Sequence, residues 1–242
     1  MSTKIEWTDK TWNPITGCTK HSSGCLHCYA EKMSKRLKGM GVEKYCNEFD
    51  LTLHENSLDE PIKWRKPHNI FVCSMSDLFH KDVPFGFIDK IFEVINQTPH
   101  HRYQVLTKRA ERMTEYFSTR KVPKNVWLGV TVEKSDYQYR IDLLRKIPAT
   151  IHFLSCEPLL GPLKNLNLTN IEWVIVGGES GPSARPMSEE WVLEIQNQVE
   201  AQGSAFFFKQ WGTWGRDGVK RSKYANGKLL NGKIVQEMPV AQ

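Results

Sequence analysis

The sequence contains no apolar run approaching the roughly eighteen residues that a membrane-spanning helix requires, so we expect no membrane insertion. Its first ten residues, MSTKIEWTDK, lack the apolar centre of a signal peptide, and we therefore expect no export either. The expected location is the cytoplasm.

Cysteine is sparse as well. Six cysteines among 242 residues are too few for a disulfide scaffold. In a reducing compartment, a tight group of cysteines indicates metal binding or redox chemistry before it indicates disulfide bonds. Three of the six lie within eleven positions of the segment GCTKHSSGCLHCYAEK, residues 17–32, which is therefore a candidate metal site.

The chain also lacks internal repeats and low-complexity linkers that would divide it. A chain of 242 residues, 40% hydrophobic and 25% charged, can bury a full core, and its length suits one large α/β domain or two small ones. We expect the main domain to cover residues 1–212, with an insertion near 40–68. Residues 213–242, rich in glycine, lysine and arginine, are expected to form a basic C-terminal extension.

The net charge of +6 is mild for this size. Basic and aromatic residues are nevertheless interleaved in KWRKPH, residues 63–68, and in residues 209–228. Such a composition can follow a phosphate backbone while stacking on bases. An ordinary solvated surface explains both segments equally well, so a nucleic acid or nucleotide substrate stays an open alternative.

Short β-rich runs alternate with longer amphipathic runs, which is typical of βα units around a parallel sheet. We predict strands near residues 11–17, 69–79, 103–109, 125–133, 151–159, 172–180 and 205–212. Helices are predicted near residues 28–38, 86–97, 110–118, 136–146 and 189–201. About seven units are too many for a small open sheet. The predicted fold is therefore α/β, a partial or complete TIM-like (βα) barrel with about six to seven parallel strands.

Each predicted strand ends in polar residues, where the chemistry of parallel βα folds gathers. Glu133, Glu157 and Glu179 end three of these strands in phase with small or polar residues, which favours a row facing the barrel interior. The three carboxylates can act as general acids and bases, or they can be capping residues paired with neighbouring arginines. The sequence leaves that choice open.

The cysteine group has the spacing Cys18, six residues, Cys25, two residues, Cys28. Two cysteines separated by two residues place their sulfurs on one metal or cluster, and the third reaches it from a longer loop. A structural zinc ion would take a fourth ligand from His21, His27 or Cys46. Three thiolates alone can instead hold three irons of a 4Fe-4S cluster and leave the fourth iron open to an exogenous ligand.

Three cysteines after the first strand of a βα barrel resemble the cluster motif of the radical S-adenosylmethionine (radical SAM) superfamily. The ordered segments TWNPITGCTKHSSGCLHCYAE, SMSDLF, LTKR, LGVTVE, FLSCEPLLG, VIVGGESG and FKQWG also resemble a phage-associated family at the edge of that superfamily. The resemblance covers nearly the whole chain. It implies a barrel of the radical SAM type and an enzyme that cleaves SAM reductively and abstracts a hydrogen from its substrate. It also implies a reducing electron donor of the flavodoxin or ferredoxin type.

The same resemblance implies roles for individual residues. The implied ligands of the 4Fe-4S cluster are Cys18, Cys25 and Cys28. The implied SAM contacts are Ser74, Ser76, Asp77 and Glu133, and Lys108 is a further candidate SAM contact from its place at a strand end. The candidate catalytic residues are Cys156, which can return a hydrogen atom to a substrate radical, Glu157 and Glu179. Arg109 and Arg185 join Lys108 as basic side chains that can bind a phosphate or the SAM carboxylate.

The chain departs from the commonest pattern of the superfamily. Six residues separate its first two cysteines, where that pattern has three, and His27 stands where an aromatic residue usually precedes the last cysteine. The Gly-Gly-Glu segment, which normally follows the second strand, lies here at residues 177–179. The segment SMSD takes its place after the second strand.

Two further hypotheses compete with the radical SAM interpretation. The first is a zinc-dependent barrel hydrolase with structural cysteines and catalytic strand-end glutamates. It predicts zinc, colourless protein and activity in air. The second is a non-enzymatic, metal-stapled nucleic-acid-binding protein, for which we expect steeply salt-dependent affinity and indifference to SAM.

Overall fold

The computed structural model describes residue 3 and residues 5–240. Its strands are β1 (Lys10–Trp12), β2 (Ile15–Thr16), β3 (Thr52–Leu53), β4 (Asn69–Val72), β5 (Arg102–Thr107), β6 (Val126–Thr131), β7 (Ile151–Cys156), β8 (Trp173–Gly177), β9 (Ala205–Gln210), β10 (Leu229–Leu230) and β11 (Lys233–Ile234). Its α-helices are α1 (Tyr29–Gly39), α2 (Phe85–Gln97), α3 (Ala110–Phe117), α4 (Tyr139–Arg145), α5 (Glu189–Gln202) and α6 (Lys223–Asn226).

Seven strands form one sheet in the order β1, β4, β5, β6, β7, β8, β9. The pairs β1–β4, β4–β5, β7–β8 and β8–β9 are parallel. Each strand therefore lies beside the next sheet strand along the chain, an order typical of a (βα) barrel, and β1 and β9 are the sheet edges. The prediction of a partial or complete TIM-like (βα) barrel with about six to seven parallel strands is confirmed, and the seven-stranded sheet corresponds to the partial form.

The strands and helices follow the expected hydrophobic periodicities. Every residue of β6, β7 and β8 is buried, because strands of a parallel sheet are covered on both faces. Helix α2 buries Ile88, Ile91, Phe92 and Ile95, which recur at the spacing of one helix face. No helix in the described part of the chain combines the length and apolar character needed to cross a bilayer.

The predicted strands extend too far at their carboxyl ends. Strand β4 ends at Val72, whereas residues up to 79 were predicted, because Cys73 adopts a left-handed φ of 58° that interrupts extended backbone. Strands β6 and β7 likewise end at Thr131 and Cys156. The polar residues that follow these strands therefore lie in loops, where side chains can turn toward a ligand.

The described chain forms two compact units. Unit 1 contains the described residues up to 21, residues 28–128 and residues 147–150. The predicted insertion near 40–68 belongs to this unit, where β3 pairs antiparallel with β2. The indole Nε1 of Trp12, a fully buried side chain, donates to the carbonyl of Ser57 at 2.8 Å. The insertion is thus attached to the first strand of the sheet.

Unit 2 contains residues 22–27, 129–146 and the described residues from 151 onward. The predicted C-terminal extension packs on its last two sheet strands. The amide of Phe208 donates to the carbonyl of Val235 at 2.7 Å, and Nε1 of Trp173 donates to the carbonyl of Glu237 at 2.9 Å. These contacts fix the end of the extension against β8 and β9.

Acid is expected to destabilise unit 1 through His101. This ring is 1% exposed; its Nε2 lies 3.1 Å from the carbonyl of Pro61, while Nδ1 has no hydrogen-bond partner among the described residues. Burial, reinforced by neighbouring histidines, lowers the pKa of His101 below its ordinary value of 6.5. The contribution of neutral His101 to the free energy of unfolding is therefore complete above pH 6.5. It is lost as the pH falls toward the lowered pKa of the folded protein, because the unfolded chain then binds a proton that the native state does not bind.

We expect protonation of unfolded His101 to lower the free energy of unfolding, measured by urea titration, by about 1 kcal/mol between about pH 7.5 and about pH 5.5. His101→Gln retains a donor for Pro61 but does not titrate, so its loss over this range should be smaller than that of the parent. An identical pH dependence in both proteins would contradict the assignment to His101.

Candidate functional site

Cys18 stands at the end of a tight turn in unit 1. Gly17 adopts φ 77°, and a Cβ added there would overlap the backbone carbonyl of Asp50. The amide of Gly17 donates to Met75 O and the amide of Cys18 donates to Phe49 O, both at 3.1 Å. Only glycine satisfies the backbone angle and the close approach together, so the turn at Gly17 sets the position of the Cys18 side chain.

The SMSD segment that follows β4 supports this turn. Ser74 Oγ donates to Asn13 Oδ1 at 3.1 Å, and Ser76 Oγ donates to the carbonyl of Gly17. Both serines are half-buried and contact the backbone or side chains that lead to Cys18. In the structure they hold the cysteine turn, and their proposed contact with SAM stays a prediction.

Asp77 forms a buried ion pair with Arg109. Nη1 of Arg109 lies 3.2 Å from Oδ2 of Asp77, and both side chains are less than one-tenth exposed. The carboxylate also accepts hydrogen bonds from the Thr107 hydroxyl at 2.7 Å and the Lys108 amide at 3.1 Å. Asp77 thus holds the β5–α3 loop in the conformation that presents Arg109 to its neighbours.

Arg109 is the residue that reaches the cysteine group. Its Nη1 donates to Sγ of Cys18 at 3.6 Å, and its Nη2 donates to the carbonyl of Thr19 at 3.0 Å. A buried guanidinium beside a thiol stabilises the thiolate that a metal requires. Hydrogen bonds to ligand sulfurs also tune the potential of an iron–sulfur cluster.

Thr19 connects Arg109 to a buried histidine. The Thr19 hydroxyl lies 2.8 Å from Nε2 of His80, whose Nδ1 accepts the amide hydrogen of Asp82 at 3.2 Å. Because Nδ1 is an acceptor, Nε2 carries the hydrogen and donates to Thr19. Burial, followed by the Arg109 charge, lowers the pKa of His80 and keeps the ring neutral near pH 7.

Cys28 immediately precedes α1. It is partly buried against Ala30, Tyr45 and Met75, and the Tyr29 hydroxyl donates to the carbonyl of Ser74. The amino end of a helix carries partial positive charge, which favours a thiolate at this position. The two motif thiols that belong to unit 1, those of Cys18 and Cys28, thus lie beside groups that favour a negatively charged sulfur.

The segment Ser22–His27, which carries Cys25, belongs to unit 2. The Ser22 hydroxyl donates to the carboxylate of Glu133, and the amide of Ser23 donates to the Tyr137 hydroxyl at 3.0 Å. Nη1 of Arg185 donates to the carbonyl of Ser23 at 3.0 Å. A Cβ on Gly24 would overlap the Glu133 carboxylate, so glycine allows the segment to lie directly against it.

Glu133 is held by a second buried group. Its Oε2 lies 3.0 Å from Nη1 of Arg140, and both side chains are at most 1% exposed. Nη1 of Arg140 also donates to the carbonyl of Thr131 at 2.7 Å, and the guanidinium lies 4.3 Å from the ring centroid of Tyr137. Glu133 is therefore the centre of a buried network that clamps the Cys25 segment, and its predicted SAM contact stays untested.

The other two strand-end glutamates are ion-paired as well. Glu179 accepts from Nη2 of Arg185 at 2.7 Å, and Glu157 lies 3.0 Å from Nζ of Lys209. Burial alone would raise the pKa of Glu179, but hydrogen bonds from Arg185 outweigh it and leave the pKa lowered. Pairing with an arginine, which the sequence left open, is thus present at Glu133 and Glu179, whereas Glu157 pairs with a lysine. The catalytic roles of Glu157 and Glu179 stay predictions.

The six cysteines divide by exposure. None forms a disulfide; Cys46 is exposed, Cys18, Cys25 and Cys28 are partly exposed, and Cys73 and Cys156 are buried. Burial, followed by neighbouring carboxylates, raises the pKa of both buried thiols, which therefore keep their hydrogen at neutral pH. A neutral thiol at the end of β7 is compatible with hydrogen donation by Cys156, which stays a prediction.

The residue types of the cysteine loop suit an iron–sulfur cluster, although its side chains do not converge on one point. Among the described residues, no three His, Cys, Asp or Glu side chains surround a point where one metal ion would bind. Thiolates that hold a 4Fe-4S cluster each bind a different iron and do not need to meet at one point. A buried Ser23 hydroxyl without a hydrogen-bond partner in the described chain lies two residues before Cys25, where a bound group could satisfy it.

A comparison with known protein families shows which family the chain belongs to. A family model described as "Protein of unknown function (DUF5131)" matches residues 2–239. The chain belongs to this family. No curated protein sequence matches it.

Two solved structures resemble this DUF5131 protein. One is a mutant of spore photoproduct lyase with bound AdoMet and dinucleoside spore photoproduct, with a TM-score of 0.44, 12% identity, 69% of this chain and 55% of that chain covered. The other is spore photoproduct lyase complexed with dinucleoside spore photoproduct, with a TM-score of 0.43, 12% identity, 77% and 59% covered. The DUF5131 protein thus spans between half and two thirds of the length of both.

Several site residues of the DUF5131 protein carry no sequence signal. Ser22, Tyr137 and Arg140 were not among the predicted site residues. Ser22 lies inside the cysteine segment, but the cysteine spacing assigns it no role, and Tyr137 and Arg140 belong to no motif connected with the cysteines. Arg140 lies on α4, seven residues after Glu133, and its local sequence does not distinguish it from an exposed helix arginine. Only the fold shows that this arginine is buried beside the Cys25 segment.

Proposed function

We propose that the protein is a radical SAM enzyme in which Cys18, Cys25 and Cys28 hold a 4Fe-4S cluster with one iron open to SAM. The observation that carries this proposal is the cysteine loop itself. Its three partly exposed thiols precede the first long helix of a partial (βα) barrel, and buried Arg109 donates to one of them. Cys18, Cys25 and Cys28 would hold the cluster, which would supply one electron for the reductive cleavage of SAM to methionine and the 5'-deoxyadenosyl radical that takes a hydrogen atom from the substrate.

The residues of this chain have separate tasks in that reaction. Arg109 offsets negative charge at Cys18, and Asp77 holds Arg109 in place. Glu133, Tyr137 and Arg185 position the segment that carries Cys25. The half-buried Lys108 is a candidate for the SAM carboxylate. The electron comes from a reducing protein of the flavodoxin or ferredoxin type.

The decisive test is the content of iron, acid-labile sulfide and zinc per chain in anaerobically purified protein. We expect about four irons and about four sulfides. The same preparation should then release 5'-deoxyadenosine from SAM when a strong reductant is added, and none without it. Stoichiometric zinc without sulfide would overturn the proposal in favour of the hydrolase or the metal-stapled binding protein.

A further inference from the structure

The C-terminal extension concentrates the positive charge of the chain. Residues 213–242 contain six lysine and arginine residues and two acidic ones, and so carry a net charge of +4 out of +6 for the whole sequence. The side chains of Lys220, Lys223 and Lys233 are exposed. An excess of one charge within so short a segment favours a polyanionic partner.

This charge lies on ordered backbone anchored to one loop. Nε1 of Trp214 donates to the carbonyl of Ala184 at 2.7 Å, and Nζ of Lys220 donates to the carbonyl of Pro182 at 3.1 Å. The amide of Thr213 donates to the carbonyl of Glu179 at 2.9 Å. The start of the extension is therefore attached to the loop that follows β8.

The same loop contacts the cysteine segment within unit 2. Arg185, one residue beyond Ala184, pairs with Glu179 and donates to the carbonyl of Ser23. Ser23 is two residues from Cys25. The basic extension and the Cys25 segment thus share one support, at the carboxyl ends of the strands where βα folds bind their ligands.

An aromatic ring distinguishes this surface from a simple basic patch. Tyr224 is 73% exposed, and the Lys223 ammonium lies 5.3 Å from its ring centroid. Exposed aromatic rings among lysines stack on unpaired bases while the lysines follow the phosphates. An acidic peptide offers the charges but not one flat ring with each charge, as a nucleic acid strand does, and a duplex hides the faces of its bases. The combination favours a single nucleic acid strand.

We propose that residues 213–233 bind a single strand of nucleic acid and lead it toward the Cys25 segment. This inference rests on the proposed function, in which the bound strand would be the substrate. The binding itself needs no cluster. Lys220, Lys223 and Lys233 contact phosphates, and Tyr224 stacks on a base.

Fluorescence anisotropy of a labelled twelve-nucleotide DNA strand, titrated with the full-length protein at about 50 to about 300 mM NaCl, tests the proposal. Each phosphate neutralised on a single strand contributes about 0.7 to the slope of log affinity against log salt. The variant Lys220→Gln/Lys223→Gln/Lys233→Gln should therefore lower that slope by about 2. Lys121→Gln/Lys124→Gln/Lys146→Gln, which makes the same charge change before β6 and β7, should leave the slope near that of the parent.

Tyr224→Ala should weaken binding about tenfold, whereas Tyr224→Phe should retain it, because stacking needs the ring and not the hydroxyl. Equal losses in the two triple variants, or competition by poly-glutamate as effective as that by unlabelled DNA, would overturn the proposal. Iron content is measured in every variant. Cluster-free protein that still binds the strand refutes only the proposed reaction, and iron-loaded protein that ignores the strand refutes only this inference.

Discussion

Replacing Cys28 by alanine is expected to reduce bound iron and sulfide from about four each to nearly none while the protein stays folded. The motif contains three thiols, and the two that remain after the substitution are too few to hold the cluster. The Cys28 side chain is only partly buried, so its removal should change the free energy of unfolding by about 1 kcal/mol or less. Iron, sulfide and absorbance measure the first effect, and urea titration measures the second.

Cys46→Ala is the matched control for this experiment. Cys46 is exposed and lies outside the motif, but it is also a possible fourth ligand of a zinc site. The cluster hypothesis expects full iron and sulfide in this variant. Loss of metal from Cys46→Ala to the same extent as from Cys28→Ala would instead indicate a four-ligand site.

Glu133→Gln is expected to destabilise the protein by about 3–5 kcal/mol, because it leaves the Arg140 guanidinium buried without its partner charge. The loosened segment should also expose Cys25, so alkylation of that thiol in cluster-free protein should be faster than in the parent. Urea titration and mass-spectrometric mapping of the alkylated cysteine measure the two effects.

Two variants make this prediction specific. Glu157→Gln breaks the more exposed pair with Lys209 and should cost about 1 kcal/mol or less. In the double variant Glu133→Gln/Arg140→Met, both charges are removed, and much of the lost stability should return. A Glu133→Gln protein as stable as Glu157→Gln, with Cys25 alkylated at the parental rate, would contradict the role of Glu133 as the clamp.

The order of strands and helices was predictable because each element carries its own periodicity. The run WVIVG reads as a buried strand and IFEVINQ as an amphipathic helix without any knowledge of their neighbours. The strand ends were less predictable. The left-handed backbone at Cys73, which ends β4, is set by packing around a tight turn and leaves no mark in the local pattern.

The cysteine group shows the same division. Three thiols at this spacing indicate a metal or cluster from the sequence alone, because the chemistry of thiolates does not depend on the fold. The residues that contact the cysteine segment, by contrast, are determined by the fold. Arg109 reaches Cys18 across ninety-one positions of the chain, and Glu133 reaches Ser22 across one hundred and eleven.

By itself, then, the sequence determined the succession of βα units, the cysteine loop and the basic character of the C-terminal segment, since composition and spacing are local properties. Only the tertiary structure decided that Glu133, Glu157 and Glu179 are each ion-paired, and that the extension is anchored at Ala184 beside Arg185. Buried charges need partners, and which partner each one finds is set by the strands that bring distant segments together.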